Sequence, residues 1–577
     1  MYSSRLASLC FAAAIATLPL SAWAQSTPII SSKDRFHPVL ANSGMVASQE
    51  ARATEVGVSI LEAGGNAVDA AVAVGFALAV TLPRAGNLGG GGFMVIHDAE
   101  KKKTVAVDYR EMAPAAAFKD MFLDDKGEAD SAKSRFSGLA IGVPGTVAGM
   151  VKAHAEYGSG NLTLAQLIEP AIKLAEEGIV VSDDLASSLE RTQKRLSGDP
   201  EAARIFYKAD GGLYKVGDTL KQTDLAGSLK QIANVGSDGF YKGAIAEAIS
   251  AAVKEAGGEM TVADLEGYEV KEREPATGTY RGYEIASMPP PSSGGTHIVQ
   301  ILNILENAPI GFMQQNSADT IHYMAEAMKL AYADRAEHLG DPDFGEIPVK
   351  GLTSKEYAKE LFNGISPYRA MPASEIGPGD PAPHESNQTT HFSVIDKDGN
   401  AVSNTYTLNF SYGVGIVAKG TGILLNNELD DFSAKAGVPN AYGLIGGEAN
   451  AVAPRKRPLS SMSPTIVFKD GKPYIVTGSP GGSRIISTTL QVIMNVIDHQ
   501  MNIAEATNAV RIHHQWLPDE IRIEEGLSSD TIKLLTELGH TIEVKNAMGS
   551  TQSIMLIDGK LAGASDPRRS GSLAAGY

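Results

Sequence analysis

Asn387-Gln388-Thr389-Thr390-His391-Phe392-Ser393 opens a strand about two-thirds of the way along a chain of 577 residues. Phe392 and Val394 alternate with His391, Ser393 and Ile395. Asp396-Lys397-Asp398-Gly399-Asn400 then supplies turn residues ahead of a second alternating run, 401–408. An Asp-Gly pair between two such runs is a strong hairpin signal. With Asp398-Gly399 as a two-residue loop, Thr407 falls opposite Thr390, and Thr389 and Thr407 come within a residue of each other across the ladder. Two hydroxyls at a hairpin edge can make a nucleophile site. The plainer reading of the same residues is β-branched side chains packing in a strand.

The rest of the chain narrows that choice. It is 43% hydrophobic and 20% charged, a globular composition, and long enough for several domains or one large layered body. A net charge of -17 argues against nucleic acid or anionic lipid as partners, although a local basic pocket can persist on an acidic protein. Residues 1–24 read as a signal peptide. Arg5 precedes an apolar run, 6–20, and Ala22-Trp23-Ala24 forms a small-x-small cleavage site before Gln25. A membrane anchor is the alternative, but no other stretch approaches the ~18 apolar residues of a span. The one cysteine, Cys10, lies inside this segment, so the mature chain is expected to be exported, soluble and disulfide-free.

In chain order, residues 45–80 read as helical: 50–63 is periodic and closes at Gly64-Gly65, and 68–80 is apolar nearly all round, as a buried helix is. Gly89-Gly90-Gly91-Gly92 then precedes a strand, 93–97. Four glycines in a row carry an entropic cost. They fit a loop, close backbone packing or backbone lining a site, but no phosphate loop follows. A strand, 104–108, leads into Arg110, a surface salt-bridge residue or an anion binder. Helices are expected at 144–157, 163–177, 182–196, 223–233, 243–256, 297–305 and 317–339. Pro289-Pro290-Pro291-Ser292-Ser293 is a rigid extended loop. Residues 364–388 are polar, proline-rich and aperiodic, a segment where a chain cut would be tolerated. Beyond them lie strands at 390–396, 401–408, 421–426, 463–468 and 473–478, a helix at 484–497, and strands near 541–546 and 553–557. Strands flanked by helix blocks suggest sheets sandwiched by helices.

Six motifs carry a resemblance. They are the stretch 387–393, Gly89-Gly90-Gly91-Gly92-Phe93, Tyr109-Arg110-Glu111-Met112-Ala113-Pro114, Pro289-Pro290-Pro291-Ser292-Ser293-Gly294-Gly295, Arg457-Pro458-Leu459-Ser460-Ser461-Met462-Ser463-Pro464 and Gly478-Ser479-Pro480-Gly481-Gly482-Ser483-Arg484. In this order, over residues 36 to 577, the chain resembles the γ-glutamyltranspeptidases.

The resemblance implies an α+β fold, the four-layer αββα sandwich of the N-terminal nucleophile hydrolases. It implies a precursor that cuts itself between Gln388 and Thr389 into a large subunit, 25–388, and a small catalytic subunit, 389–577, which stay together as a heterodimer forming one body. Thr389 is then the nucleophile, oriented by Thr407, with Gly481 and Gly482 as the oxyanion hole. A threonine hydroxyl needs a base, and cleavage frees the α-amine of Thr389 itself, whose unperturbed pKa is about 7.7–8.0. Arg110, Ser460 and Ser461 match the family's binders of the glutamyl α-carboxylate. Asn409, Glu428 and Asp431 match the binders of its α-ammonium, the family having Gln or Glu at Glu428. Residues 435–447 resemble a lid loop, with Tyr442 over the pocket.

The expected partners are glutathione and other γ-glutamyl compounds as donors, and water, amino acids or dipeptides as acceptors. The expected location is the periplasm. No cofactor and no metal is expected: Asp396–Asn400 has its glycine at the wrong place for a calcium loop, and adjacent His513-His514 is a poor zinc pair. A cephalosporin or glutaryl acylase, and an uncleaved exported binding protein on the same scaffold, are the alternative readings.

Overall fold

The computed structural model describes residues 35–376, 389–440 and 443–577. The expected signal peptide, Gln388 and the lid residue Tyr442 lie outside the described residues.

Strand Thr390–Ile395 pairs antiparallel with Ala401–Thr407, with Thr390 opposite Tyr406 and Ile395 opposite Ala401. This register is one residue away from that of a two-residue loop. The cause lies in the turn. The Asp396 N–H donates to the Asn400 carbonyl at 3.1 Å, so the loop is three residues, 397–399. Its last residue, Gly399, has φ +87°, a left-handed conformation that glycine adopts without steric penalty. Asp396 Oδ1 accepts the N–H groups of Asp398 and Asn400 at 2.9 and 3.0 Å, which ties the turn to the strand end. The extra loop residue moves the ladder so that Thr389, one step beyond the paired strand, faces Thr407.

These two strands are the third and fourth of a seven-stranded antiparallel sheet. It runs Leu573–Gly576, Met45–Ser48, Thr390–Ile395, Ala401–Thr407, Gly91–Asp98, Lys103–Tyr109 and Lys271–Arg273. A second seven-stranded antiparallel sheet runs Val39–Ala41, Lys560–Ser565, Gln552–Ile557, Lys472–Thr477, Thr465–Lys469, Tyr283–Ser287 and Ala276–Tyr280. An apolar layer that includes Met45, Val95, Ile395, Ile466, Val476 and Ile554 lies between the sheets.

Helices cover both outer faces. Ala67–Thr81 lies behind the first sheet with Ala51–Glu62, Thr146–Tyr157 and Leu164–Glu177 around it. Every residue of Ala67–Thr81 is buried, and the Asn66 side chain caps its start by accepting from the N–H groups of Val68 and Asp69. Gly294–Leu305 and Arg484–Ile497 lie behind the second sheet, with Ala318–His338 packed on Gly294–Leu305. This is an αββα sandwich.

Two of the expected elements change in type or extent. Residues 45–48, expected within a helical stretch, form a fully buried strand beside Thr390–Ile395, because sheet pairing overrides a short apolar run's ambiguous pattern. The expected strand 421–426 shrinks to Ile423–Leu424, paired with Val417–Ala418.

Candidate active site

Thr389 and Thr407 sit at adjoining ends of the two central strands, both buried. The Thr389 hydroxyl donates to Thr407 Oγ1 at 3.4 Å, and the Asn409 N–H donates to the same oxygen at 2.8 Å. Asn409 adopts φ +70°, which turns its side chain back to donate to the Asn427 carbonyl at 2.9 Å. The four glycines act from behind. A Cβ on Gly90 would lie 2.0 Å from the Thr407 carbonyl oxygen, and one on Gly92 2.5 Å from that of Thr405. The glycine run therefore serves close backbone packing against the Thr407 strand. Of the three sequence readings, this is the one the geometry selects.

Arg110 follows strand Lys103–Tyr109 and is fully buried. Its Nε donates to the Pro458 carbonyl at 3.1 Å, Nη2 donates to Asp431 Oδ2 at 2.6 Å, and Nη1 is in contact with Glu428 Oε1. Glu111 Oε2 lies 3.6 Å from the same Nη1. Burial alone would weaken the charge on Arg110, but the carboxylates of Glu428, Asp431 and Glu111 hold it above the ordinary guanidinium range. Burial pushes Glu428 well above the usual carboxylate range, against the pull of Arg110. Asp430, next in the chain, points elsewhere, accepting from the Ser134 hydroxyl at 2.5 Å.

Ser460 and Ser461 are held by the polyproline loop. The Ser460 N–H donates to the Pro291 carbonyl, and the Ser293 N–H and hydroxyl both donate to the Ser460 carbonyl, each at 2.8 Å. Gly294 and Gly295 permit this approach, since Cβ atoms there would stand 2.2 Å from Ser463 Oγ and 2.4 Å from the Met288 carbonyl. Arg335, which the sequence reading did not single out, completes the floor. Its Nε donates to Ser293 Oγ at 3.0 Å and its Nη2 to Ser461 Oγ at 3.3 Å. Burial lowers it to about 10. In sequence it is one more arginine in the long helix Ala318–His338, with no motif around it.

Gly481 and Gly482 have φ of +140° and +58° and stand just before helix Arg484–Ile497. Among the described residues neither glycine N–H donates to a backbone carbonyl. Gly482 lines the pocket, and Gly481 precedes it in the chain.

One cleft brings these groups together. Its walls include Thr389, Thr407, Asn409, Arg110, Glu428, Asp431, Ser460, Ser461 and Gly482, with Arg335, Leu444, Leu459, Met462 and Ile485 added. Leu444 comes from the expected lid segment, in which Pro439 and Ile445 pair as a short bridge. Two threonine hydroxyls, the Gly482 backbone, a guanidinium with two serines, and an amide with two carboxyls thus face one small space. Such a set suits acyl transfer from a zwitterionic acyl group.

His513 and His514 do not act together. His513 Nδ1 meets Ser487 Oγ at 2.8 Å, and His514 Nε2 meets Asp519 at 3.3 Å. Elsewhere His322, Glu326 and His540 converge as three groups able to hold a metal ion. In this structure His322 Nδ1 meets His540 Nε2 at 2.8 Å, and Glu326 is paired with Lys329 at 2.6 Å.

The comparisons with known proteins converge with this geometry. A model of the γ-glutamyltranspeptidase family matches residues 53–576. The glutathione hydrolase proenzyme of Escherichia coli (strain K12) is 59% identical over 546 residues, which is 94% of this chain and 94% of that one. Among solved structures, the cephalosporin acylase of Bacillus halodurans matches with a TM-score of 0.80 at 28% identity, covering 96% of this chain and 98% of that chain. The γ-glutamyltranspeptidase of Helicobacter pylori is 46% identical with a TM-score of 0.56, covering 61% of this chain and 97% of that one.

Proposed function

The chain belongs to the γ-glutamyltranspeptidase family, and we propose that its cleft transfers the γ-glutamyl group of glutathione and related amides through an ester on Thr389. It is a self-processing enzyme of γ-glutamyl transfer and glutathione hydrolysis. The observation that carries the residue roles is the shared cleft, in which groups suited to an α-carboxylate and an α-ammonium stand beside the Thr389 hydroxyl.

In the precursor, Thr389 Oγ attacks the carbonyl carbon of Gln388. The amide nitrogen leaves as the α-amine of Thr389, and water then hydrolyses the ester. The products are a large subunit, 25–388, and a small subunit, 389–577, that remain a heterodimer. In turnover the freed α-amine takes the Thr389 hydroxyl proton, and Oγ attacks the γ-carbonyl of the donor. The N–H groups of Gly481 and Gly482 receive the oxyanion, a contribution of roughly 10²–10³ in rate per donor. The leaving amine takes the proton. Water, an amino acid or a dipeptide then attacks the ester, giving glutamate or a new γ-glutamyl amide.

Arg110, Ser460 and Ser461 hold the α-carboxylate, and Asn409, Glu428 and Asp431 the α-ammonium. Tyr442 caps the glutamyl end. Residues 1–24 direct export to the periplasm. No helix among the described residues is long and apolar enough to cross a membrane.

The likeness to the Bacillus halodurans cephalosporin acylase favours a second reading, acylase activity on groups that lack the α-carboxylate. Buried charged partners discriminate strongly against analogues that leave them unpaired, by about 10⁴–10⁵ in the best cases. Turnover of γ-glutamyl anilide and of glutaryl anilide by the cleaved protein tests the choice. A clear preference for the γ-glutamyl compound supports the transpeptidase reading, and equal or greater turnover of the glutaryl compound overturns it.

A further inference from the structure

Three carboxyl groups surround one guanidinium in the cleft. Asp431 takes Arg110 Nη2, while Glu428 and Glu111 both converge on Nη1. Glu111 and Glu428 are essentially without solvent contact. Both oxygens of Glu111, and Oε2 of Glu428, have no hydrogen-bond partner in the structure. Glu111 is pressed against bare backbone: a Cβ on Gly91 would lie 2.7 Å from its Oε2, and one on Gly142 2.9 Å from its Cβ.

A buried carboxylate without donors carries a large desolvation cost. Two of them beside one guanidinium cannot both be satisfied by it, and like charges that close cannot both ionise near neutral pH. The economical arrangement is one acidic hydrogen between the two carboxyls. It removes one negative charge and gives the orphaned oxygens a hydrogen bond.

We infer that Glu111 and Glu428 share a single proton, and that Glu111 is a positioning residue which holds the Glu428 carboxyl toward the α-ammonium of the donor. The pair then carries one negative charge beside Arg110, leaving Asp431 as the second. The groups facing the pair are Arg110 and Asp431 at the pocket, Tyr109 from the strand end, and Tyr241 and Tyr268 from beneath. Burial raises Glu111 to about 7 and pushes Glu428 well above the usual carboxylate range, both against the pull of Arg110, so the pair keeps a proton at neutral pH and loses it on the alkaline side. The consequence for substrate binding rests on the γ-glutamyl reading. The shared proton itself does not.

The test has two arms, both on the cleaved heterodimer, with the appearance of two fragments reporting that each variant folds. The first is infrared difference spectroscopy in H₂O and D₂O without substrate. The expected result is the carbonyl stretch of a protonated carboxylic acid in the wild type, lost in Glu111→Gln and in Glu428→Gln because the surviving carboxyl ionises against Arg110. A wild type without this band, or a band indifferent to both substitutions, overturns the inference.

The second arm is KM for γ-glutamyl anilide against pH. A rise of about tenfold from neutral to alkaline pH is expected in the wild type, the size of one lost charge-assisted hydrogen bond. In Glu111→Gln, whose amide still donates toward Glu428 but does not titrate, KM is expected to stay level while the pH dependence of kcat is kept. An alkaline rise in KM that persists in Glu111→Gln overturns the positioning role. Failure to turn over any γ-glutamyl amide would count against the function reading alone, since the spectroscopic arm needs no substrate.

Discussion

The hydroxyl of Thr389 is directed at Thr407 Oγ1, 3.4 Å away, while the N–H of Asn409 donates to that same oxygen from 2.8 Å. Thr407 Oγ1 is thereby held as an acceptor, the arrangement that the proposed attack by Thr389 Oγ needs. The relationship exists because of a turn. Had the loop 397–399 been one residue shorter, Thr407 would face Thr390 in place of Thr389.

From this pairing, Thr389→Ala is expected to give a single uncut chain with no γ-glutamyl transfer. Thr407→Val keeps the shape and loses the acceptor, so it should cleave slowly and show kcat reduced by roughly 10²-fold with KM little changed. A denaturing gel with intact mass, followed by anilide kinetics, reads both. Thr407→Val with wild-type cleavage and kcat would remove Thr407 from the mechanism.

The proposed oxyanion donors predict a different signature. Gly482 stands at φ +58° against the cleft, so Gly482→Ala adds a methyl at a left-handed position and displaces the N–H. The expected loss is roughly 10²–10³ in kcat, without loss of the two-fragment pattern if processing tolerates the slower acyl step over hours. A fall confined to KM would mean that Gly482 binds substrate instead of stabilising the transition state.

The fold was largely legible and the site only partly so, for reasons that can be placed on particular residues. Helices such as Arg484–Ile497 were readable because apolar residues recur along them at helical spacing. Strands Lys560–Ser565 and Leu573–Gly576 were not, because Ala and Gly dominate them and their register comes from neighbours such as Met45–Ser48. In the site, motif residues such as Ser460 and Gly482 were found from the resemblance alone. From the residues without it, Pro-Gly-Gly is an ordinary turn and Asn426–Asp431 a polar loop. Arg335 escaped because its role depends on where a 21-residue helix meets the polyproline loop, which no local pattern encodes. Glu111 lay inside a quoted motif, yet its missing partners are visible only in three dimensions.

Arg335 yields the next prediction. Its guanidinium spans Ser293 and Ser461 beneath the proposed α-carboxylate site. Arg335→Met keeps much of the length and removes both hydrogen bonds, so the 460–461 segment loses its support. KM for a γ-glutamyl donor is expected to rise about tenfold or more, equivalent to ~1.4 kcal/mol, with a smaller change in kcat. Arg335→Lys should recover little, since a single ammonium does not reproduce the fork. A variant with unchanged KM would show that Ser461 is held by the polyproline loop alone.

Acid sensitivity follows from the buried histidines. Burial holds His391 at about 3 and His297 at about 4, both below their ordinary value. His391 lies in the strand that carries Thr389, between Thr405 Oγ1 at 2.9 Å and Ser393 Oγ at 3.1 Å. A Cβ on Gly478 would stand 2.5 Å from its ring, so there is no room for water to solvate a charge. The unfolded chain binds protons at these sites near pH 6.5 and the folded chain does not. The stability they contribute is therefore fully present above about pH 6.5 and is lost as pH falls toward the folded values of about 4 and 3. Thermal unfolding of the cleaved heterodimer should show Tm falling steadily from pH 7 to pH 4. In His391→Gln, which keeps hydrogen-bonding capacity without the titration, the acid slope should be shallower while Tm at pH 7 is lower. An acid slope identical to wild type would assign the sensitivity to other groups, His297 first among them.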